Sequence, residues 1–272
     1  MLLSHMSAEL SHKPHKVAVA NRSEAAASPE AIAQSTGLPI LPAAMPANEF
    51  CDFLLFYHHA KLCLQSTEEG AAGAVCVDFE DESLQYRQRR PLKPEALLKA
   101  AGVKQGQSLH VLDATAGLGL DAFLFASAGA QVTMIERNVI LHAMLADGLT
   151  RAAESEDDKV RAAVSRMQLL QGDSASVMQL SLASEVQIVY LDPMFPERKK
   201  SAKVKKNMFL LQQFLHSDAQ AQDLLAKALS VATKRVVVKR PRHAQFLEGQ
   251  KPSFSQEGKS SRFDVYLCAP NR

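Results

Sequence analysis

Val111-Leu-Asp-Ala-Thr-Ala-Gly-Leu-Gly-Leu-Asp-Ala-Phe123 (VLDATAGLGLDAF) is the stretch on which the reading of this 272-residue chain turns. An apolar run ends in a carboxylate at Asp113, a turn containing Gly117 and Gly119 follows, and a helical pattern starts near Asp121. Strand, glycine turn and helix in that order open a doubly wound α/β sheet, whose ligands sit at the carboxyl ends of the strands beside a helix N-terminus. Glycine allows the sharp turn and keeps a Cβ out of a ligand's way. The spacing is not GxGxxG, and the acids Asp113 and Asp121 would repel a pyrophosphate. A cationic ligand suits them better. An Asp cap on a plain packing turn is the alternative that the stretch alone leaves open.

Working outward, short apolar runs alternate with helical stretches from about Pro94 onward. The strand candidates are Leu109–Asp113, Val132–Glu136, Met167–Leu170, Val186–Leu191 and Arg235–Lys239. Helices are predicted at Asp121–Ala128, Val139–Arg151 and Met208–Ala232. Nearly continuous apolar strands belong to a parallel sheet covered on both faces. Phe263–Cys268 alternates instead, which suits an antiparallel strand at the end of the sheet. A mostly parallel α/β sheet whose last strand is antiparallel is the Rossmann-like class I methyltransferase arrangement, expected here over residues 91–272. Residues 1–90 read as a small N-terminal α+β domain. Lys16–Ala20 is a strand, Ser28 an N-cap before Pro29, and Gly37 the end of a short helix. Pro39, Pro42 and Pro46 mark a loop, and Phe53–Tyr57, Leu62–Gln65 and Ala74–Phe79 read as an antiparallel meander.

Composition bounds the function. A hydrophobic fraction of 47% and a charged fraction of 22% are ordinary for a globular protein. A net charge of +2 gives no global attraction to a polyanion, so the positions of the 31 basic residues matter. No apolar run approaches the ~20 residues of a membrane span. The opening MLLSHMSAELSHKPHK lacks a sustained apolar segment, so a cytoplasmic protein is expected. Cys51, Cys63, Cys76 and Cys268 have no CxxC spacing and read as buried, reduced thiols. His58 and His59 have no metal-ligand spacing around them, and no metal is expected.

Four further motifs carry chemistry. Glu136 ends the second strand, 23 positions after Asp113, where a carboxylate can accept both hydroxyls of a ribose. Arg137 follows it and can pack along an adenine ring. After the third strand, Asp173 and Ser174 can hydrogen-bond the adenine edge, or simply form a local Asx-type turn. After the fourth comes Asp192-Pro193-Met194-Phe195. The Asp192 carboxylate and the Pro193 carbonyl can each accept an N–H of an exocyclic amine and turn its lone pair towards an electrophilic methyl. Phe195 offers a face on which a base can stack, worth roughly 1–3 kcal/mol. Finally, Arg198, Lys199, Lys200, Lys203, Lys205 and Lys206 follow that loop, and Lys239 and Arg240 follow the fifth strand. Two basic runs at one edge of the sheet favour phosphate contacts; Gln85–Arg90 (QYRQRR) adds to them.

These segments resemble the ribosomal RNA small subunit methyltransferase J family. The resemblance rests on AVCVDF (74–79), DATAGLGLDAF (113–123), MIERN (134–138), VYLDPMFPERKKSAKVKK (189–206), ATKRVVVKRP (232–241) and RFDVY (262–266). It implies S-adenosylmethionine (SAM) as cofactor and a guanine N2 of 16S rRNA, in the free RNA or the small ribosomal subunit, as acceptor. It places cofactor contacts at Leu120, Asp121, Glu136, Arg137, Asp173, Ser174 and Asp192, beside Asp113 and Gly117 of the turn. The family usually reads GLGRDAF where this chain has Leu120, so a backbone contact survives there and a guanidinium contact does not. It also carries a glycine-rich basic stretch where this chain has Arg87–Lys93 with Pro91. Two other functions fit the residues: amino methylation of adenine N6 in DNA or RNA, which Asp-Pro-x-aromatic serves equally, and a non-catalytic RNA-binding module. Nucleoside analysis of the product separates the first, and absence of SAM binding would favour the second. No cysteine follows the Asp-Pro loop, which argues against a covalent cytosine mechanism.

Overall fold

The computed structural model of the chain describes residues 15–20, 28–71, 73–81, 96–180, 186–193, 214, 223–258 and 261–268. Two sheets organise them. The smaller has four strands in the order β1-β2-β3-β4: β1 (Val17–Val19), β2 (Phe53–His58), β3 (Lys61–Ser66) and β4 (Val75–Cys76). β1 runs parallel to β2, and the β2-β3-β4 meander is antiparallel, as expected. Between β1 and β2 lie α1 (Pro29–Thr36) and α2 (Ala47–Phe50). The Ser28 hydroxyl accepts from Ala31 N, and Gly37 closes α1 in the left-handed conformation.

The larger sheet has seven strands: β5 (His110–Asp113), β6 (Gln131–Glu136), β7 (Met167–Gln171), β8 (Ile188–Leu191), β9 (Arg235–Pro241), β10 (Phe254–Glu257) and β11 (Ser261–Leu267). Their order is β10-β11-β9-β8-β5-β6-β7, and β11 alone runs against the others. This is the class I methyltransferase sheet. The helices are α3 (Ala96–Ala101), α4 (Leu120–Ser127), α5 (Val139–Ala153), α6 (Asp158–Val164), α7 (Ser174–Leu180) and α8 (Leu224–Val231). Of the helix expected over 208–232, only its last part and Phe214 fall among the described residues.

Alternation along the strands divides the core. Val111, Val132, Met134, Ile188, Tyr190, Val237 and Val265 face one side, with the helices α3 to α6. Leu112, Ile135, Val189, Leu191, Val236 and Val238 face the other, with α8 and Met178 of α7. The first of these cores continues without a break into Val17, Leu55, Leu64 and Phe79 of the N-terminal part. The Phe214 ring lies edge-on to Phe53, with centroids 5.3 Å apart, linking the region beyond β8 to the small sheet.

The two sheets are clamped through α5. Tyr57 OH and Leu62 N both donate to the Asp147 carboxylate, at 3.0 and 3.1 Å, and Arg151 Nε donates to it at 2.9 Å. Gly148 makes the close approach possible, because a Cβ there would stand 2.4 Å from Val77 Cγ1. One expectation fails here. Cys63 and Cys76, read as reduced thiols, are joined as a disulfide, because the β3-β4 register sets them directly opposite each other with Cα atoms 4.4 Å apart. Cys51 and Cys268 are free. No helix among the described residues is long and apolar enough to cross a membrane.

Gly148→Ala tests the clamp. The change gains about 1 kcal/mol of helix propensity, but overpacking against Val77 costs roughly 1–3 kcal/mol. The variant is expected to melt several degrees below the parent. An unchanged or higher Tm would mean that the small sheet is loosely seated.

Candidate active site

The carboxyl ends of β5, β6, β8 and β9 carry the groups that the sequence singled out. β5 leads to β6 and β7 on one side, and the chain then returns to β8 and β9 on the other, so the loops after β5 and β8 diverge and leave a crevice. Two hydrogen bonds tie these loops together. Asp192 N donates to Thr115 Oγ1 at 2.6 Å, and Ala114 N donates to Tyr190 O at 3.0 Å.

The glycine turn is built as expected. Gly117 and Gly119 have φ of 54° and 71°. A Cβ at Gly119 would meet Leu145 Cδ1 at 2.7 Å, whereas the space around Gly117 is open. Leu120 starts α4 and is 37% exposed. Glu136 is buried, and its carboxylate accepts Gly117 N and Asn138 N, each at 2.8 Å. These bonds hold the carboxylate at the strand end, where a ribose would be bound. Arg137 is exposed beside it. Asp173 Oδ1 accepts Ser176 N and Oγ, at 3.0 and 3.1 Å, and caps the start of α7, the local turn that was the alternative. The Ser174 hydroxyl donates to the Ala114 carbonyl.

Asp113 is buried at the end of β5. It is 1% exposed, and Oδ1 accepts Thr115 N at 3.1 Å. Burial pushes its carboxyl up to about 8; the Asp121 and Asp192 charges add to the rise, while the Thr115 N–H and Lys239 oppose it. Asp113 therefore shapes the turn from behind.

The basic run after β9 requires a correction. In sequence Lys239 and Arg240 suit phosphate contacts, but both side chains are engaged inside the protein. Lys239 Nζ donates to Asp121 Oδ2 at 2.7 Å and to Asp192 Oδ2 at 2.8 Å. Burial alone would lower its pKa, but the two carboxylates outweigh that and hold it raised. Arg240 is buried, and its Nε and Nη2 donate to Gln245 O. Tyr190 OH also donates to Asp121 Oδ2, at 2.7 Å, and burial together with the nearby Asp charges holds the phenol well above its ordinary range. Burial, with the Asp121 charge, raises the Asp192 carboxyl, and Lys239 opposes this.

Thr115, Tyr190 and the true partners of Lys239 were missed by sequence reasoning. The signal was present: a tyrosine or lysine inside a buried strand needs a polar partner. Phe195 and the run Arg198, Lys199, Lys200, Lys203, Lys205 and Lys206 lie outside the described residues, as does Gln85–Arg90. A separate polar groove, lined by His110, Thr133, Arg166, Gln168 and Gln187, lies at the amino ends of the strands, away from these groups.

The donor set fits SAM. Asp121, Glu136, Asp173 and Asp192 surround the turn, and Lys239, the cation between two of them, is already paired. Such a set accepts a cationic ligand and opposes a pyrophosphate.

The comparisons agree with this chemistry. The family model described as "Putative SAM-dependent methyltransferase" matches residues 41–268. The chain is 47% identical over 216 residues to the ribosomal RNA small subunit methyltransferase J of Stutzerimonas stutzeri, covering 79% of this chain and 83% of the relative. It is 44% identical over 251 residues to that of Cellvibrio japonicus, covering 90% and 94%. Among solved structures, the crystal structure of a SAM-dependent methyltransferase from Neisseria gonorrhoeae superimposes with a TM-score of 0.66 at 31% identity, over 94% of this chain and 97% of that one.

The buried Asp113 gives a prediction with a definite sign. An unfolded Asp ionises near 3.9 and the native group near 8. Between those values the native state holds the extra proton, so stability falls as pH rises through the window. Asp113→Asn removes the proton site but keeps an acceptor for Thr115 N. Its Tm should gain on the parent between pH 5 and pH 8; parallel Tm curves would contradict the assignment.

Proposed function

The chain belongs to the ribosomal RNA small subunit methyltransferase J family of SAM-dependent methyltransferases, and we propose that its acceptor is the N2 amino group of a guanosine in 16S rRNA. The observation that carries this reading is the position of Asp192-Pro193 at the end of β8, hydrogen-bonded to the glycine turn through Thr115. That juxtaposition supports an amine-holding role for the Asp192 carboxylate beside the glycine turn.

The residues divide the work. Gly117 leaves room for the cofactor, Leu120 contacts it through the backbone, and Asp121, Glu136, Arg137, Asp173 and Ser174 surround it. When bound, the cofactor supplies an electrophilic methyl on a sulfonium. Asp192 and the Pro193 carbonyl each accept one N–H of the guanine amine, which directs the nitrogen lone pair towards that methyl. Phe195 stacks the base. Catalysis is then mostly positioning, which can supply several kcal/mol of a barrier. The basic run 198–206 holds the phosphates. In this account residues 91–272 form the transferase domain, residues 1–90 a smaller unit docked on α5, and the enzyme works in the cytoplasm on 16S rRNA or the small subunit.

The test is transfer of labelled methyl from SAM to small ribosomal subunits from cells lacking this protein, with free rRNA and duplex DNA alongside. Label in N2-methylguanosine of the small-subunit RNA is the expected result. Label in N6-methyladenosine or in DNA would replace the acceptor, and a protein that binds SAM without labelling any acceptor would remove it. Asp192→Ala should lose nearly all transfer while keeping its fold, and normal turnover would end the amine-holding role. Reversing Lys199 and Lys200 to Glu should weaken RNA binding and flatten its log–log salt slope by about 0.7 per lost single-strand phosphate contact. An unchanged slope would place the phosphates elsewhere.

A further inference from the structure

Lys239 is one residue beyond Val238, which pairs with Leu191, so it stands level with Asp192 across the β8-β9 ladder. Strand alternation turns it towards the face that holds Tyr190 and α4, while Arg240 turns the other way. Its ammonium spans two loops with different tasks. Asp121 belongs to the cofactor turn and Asp192 to the acceptor loop, and Nζ reaches their Oδ2 atoms at 2.7 and 2.8 Å. Among the described residues, the other ionisable groups facing this point are Asp113 on β5 and Tyr190 on β8.

We propose that Lys239 is a positioning residue for methyl transfer, its ammonium holding the Asp192 carboxylate ionised and fixed beside the cofactor turn. This rests on Asp192 engaging the acceptor amine. An ionised carboxylate is an acceptor at both oxygens, whereas a protonated one turns one oxygen into an O–H donor and accepts an amine N–H more weakly at the other. Asp192 lies near the like charge of Asp121 in a half-buried site, the setting in which a carboxyl takes up a proton. The lysine opposes that uptake. By bonding both aspartates at once, it also couples the cofactor turn to the acceptor loop. Its task is internal to the site, so it leaves phosphate binding to the run 198–206.

The test compares the parent with Lys239→Met, Lys239→Arg and the double variant Lys239→Met/Asp121→Asn. Two quantities are followed against pH: the single-turnover rate of methyl transfer, and the titration of the Asp192 carboxyl carbon by NMR, identified by its loss in Asp192→Asn. In Lys239→Met, the acid limb of the rate and the Asp192 titration are both expected to move up by about one pH unit or more. The rate should fall at least tenfold at pH 6 and much less at pH 9. Asp121→Asn in the same chain should bring both curves part of the way back, and Lys239→Arg, which keeps the charge, should retain the parent's acid limb. A folded Lys239→Met whose Asp192 titration is unmoved overturns the proposal, whether or not rRNA is the acceptor. A moved titration with an unmoved rate profile also overturns it, by separating Asp192 ionisation from transfer. If Lys239→Met does not fold, a displaced acid limb in Lys239→Arg overturns it. Full transfer by Asp192→Ala would instead remove the amine-holding reading on which the proposal rests.

Discussion

The hydrogen bond from Asp192 N to Thr115 Oγ1 joins the two loops that the sheet topology forces apart. After β5 the chain goes to one side of the sheet, and after β8 to the other, so a crevice opens between their carboxyl ends. With nothing across it, the glycine turn and the Asp-Pro loop would be two independent flexible segments. The Thr115 bond and its neighbour from Ala114 N to Tyr190 O set their separation. The remaining parts are arranged around that fixed gap: Glu136 pinned by Gly117 N and Asn138 N on one flank, Lys239 on the other.

Charge inside the crevice is balanced locally. Asp121 and Asp192 share one ammonium, and Tyr190 gives Asp121 a second donor. Asp113, behind them, is pushed towards its neutral form because burial makes a third charge there expensive. Lys239 opposes proton uptake by Asp192, while Asp113, the deepest of the three, is held towards its neutral form. The N-terminal part contributes by contact: Asp147 collects Tyr57 OH, Leu62 N and Arg151, and Val77 seats against Gly148, so the small sheet braces α5, the helix that begins just after Glu136.

Much of the large sheet was legible because its central strands are short apolar runs with few competing interpretations. β10 was not: Phe254–Glu257 is an exposed edge strand without a buried face to pattern it. The helices α3, α6 and α7 are six or seven residues long, too short for a periodic signal. At the site, acids at strand ends were readable because position in the element order carried the meaning. Lys239 and Arg240 were misread because adjacent basic residues look like one patch in sequence, while a strand sends them to opposite faces. The Cys63–Cys76 pairing was hidden in the same way, since 13 positions along the chain became direct neighbours only through the β3-β4 register.

We propose that the cofactor lies across the Gly117–Leu120 turn, between Glu136 and Asp192. A crystal structure of the protein with SAM or its demethylated product tests it most directly. The predicted result is a ribose at Glu136, an adenine between Arg137 and the Asp173-Ser174 turn, and the sulfur facing Asp192. A ligand bound elsewhere, such as in the polar groove around His110 and Arg166 at the opposite strand ends, would contradict the account.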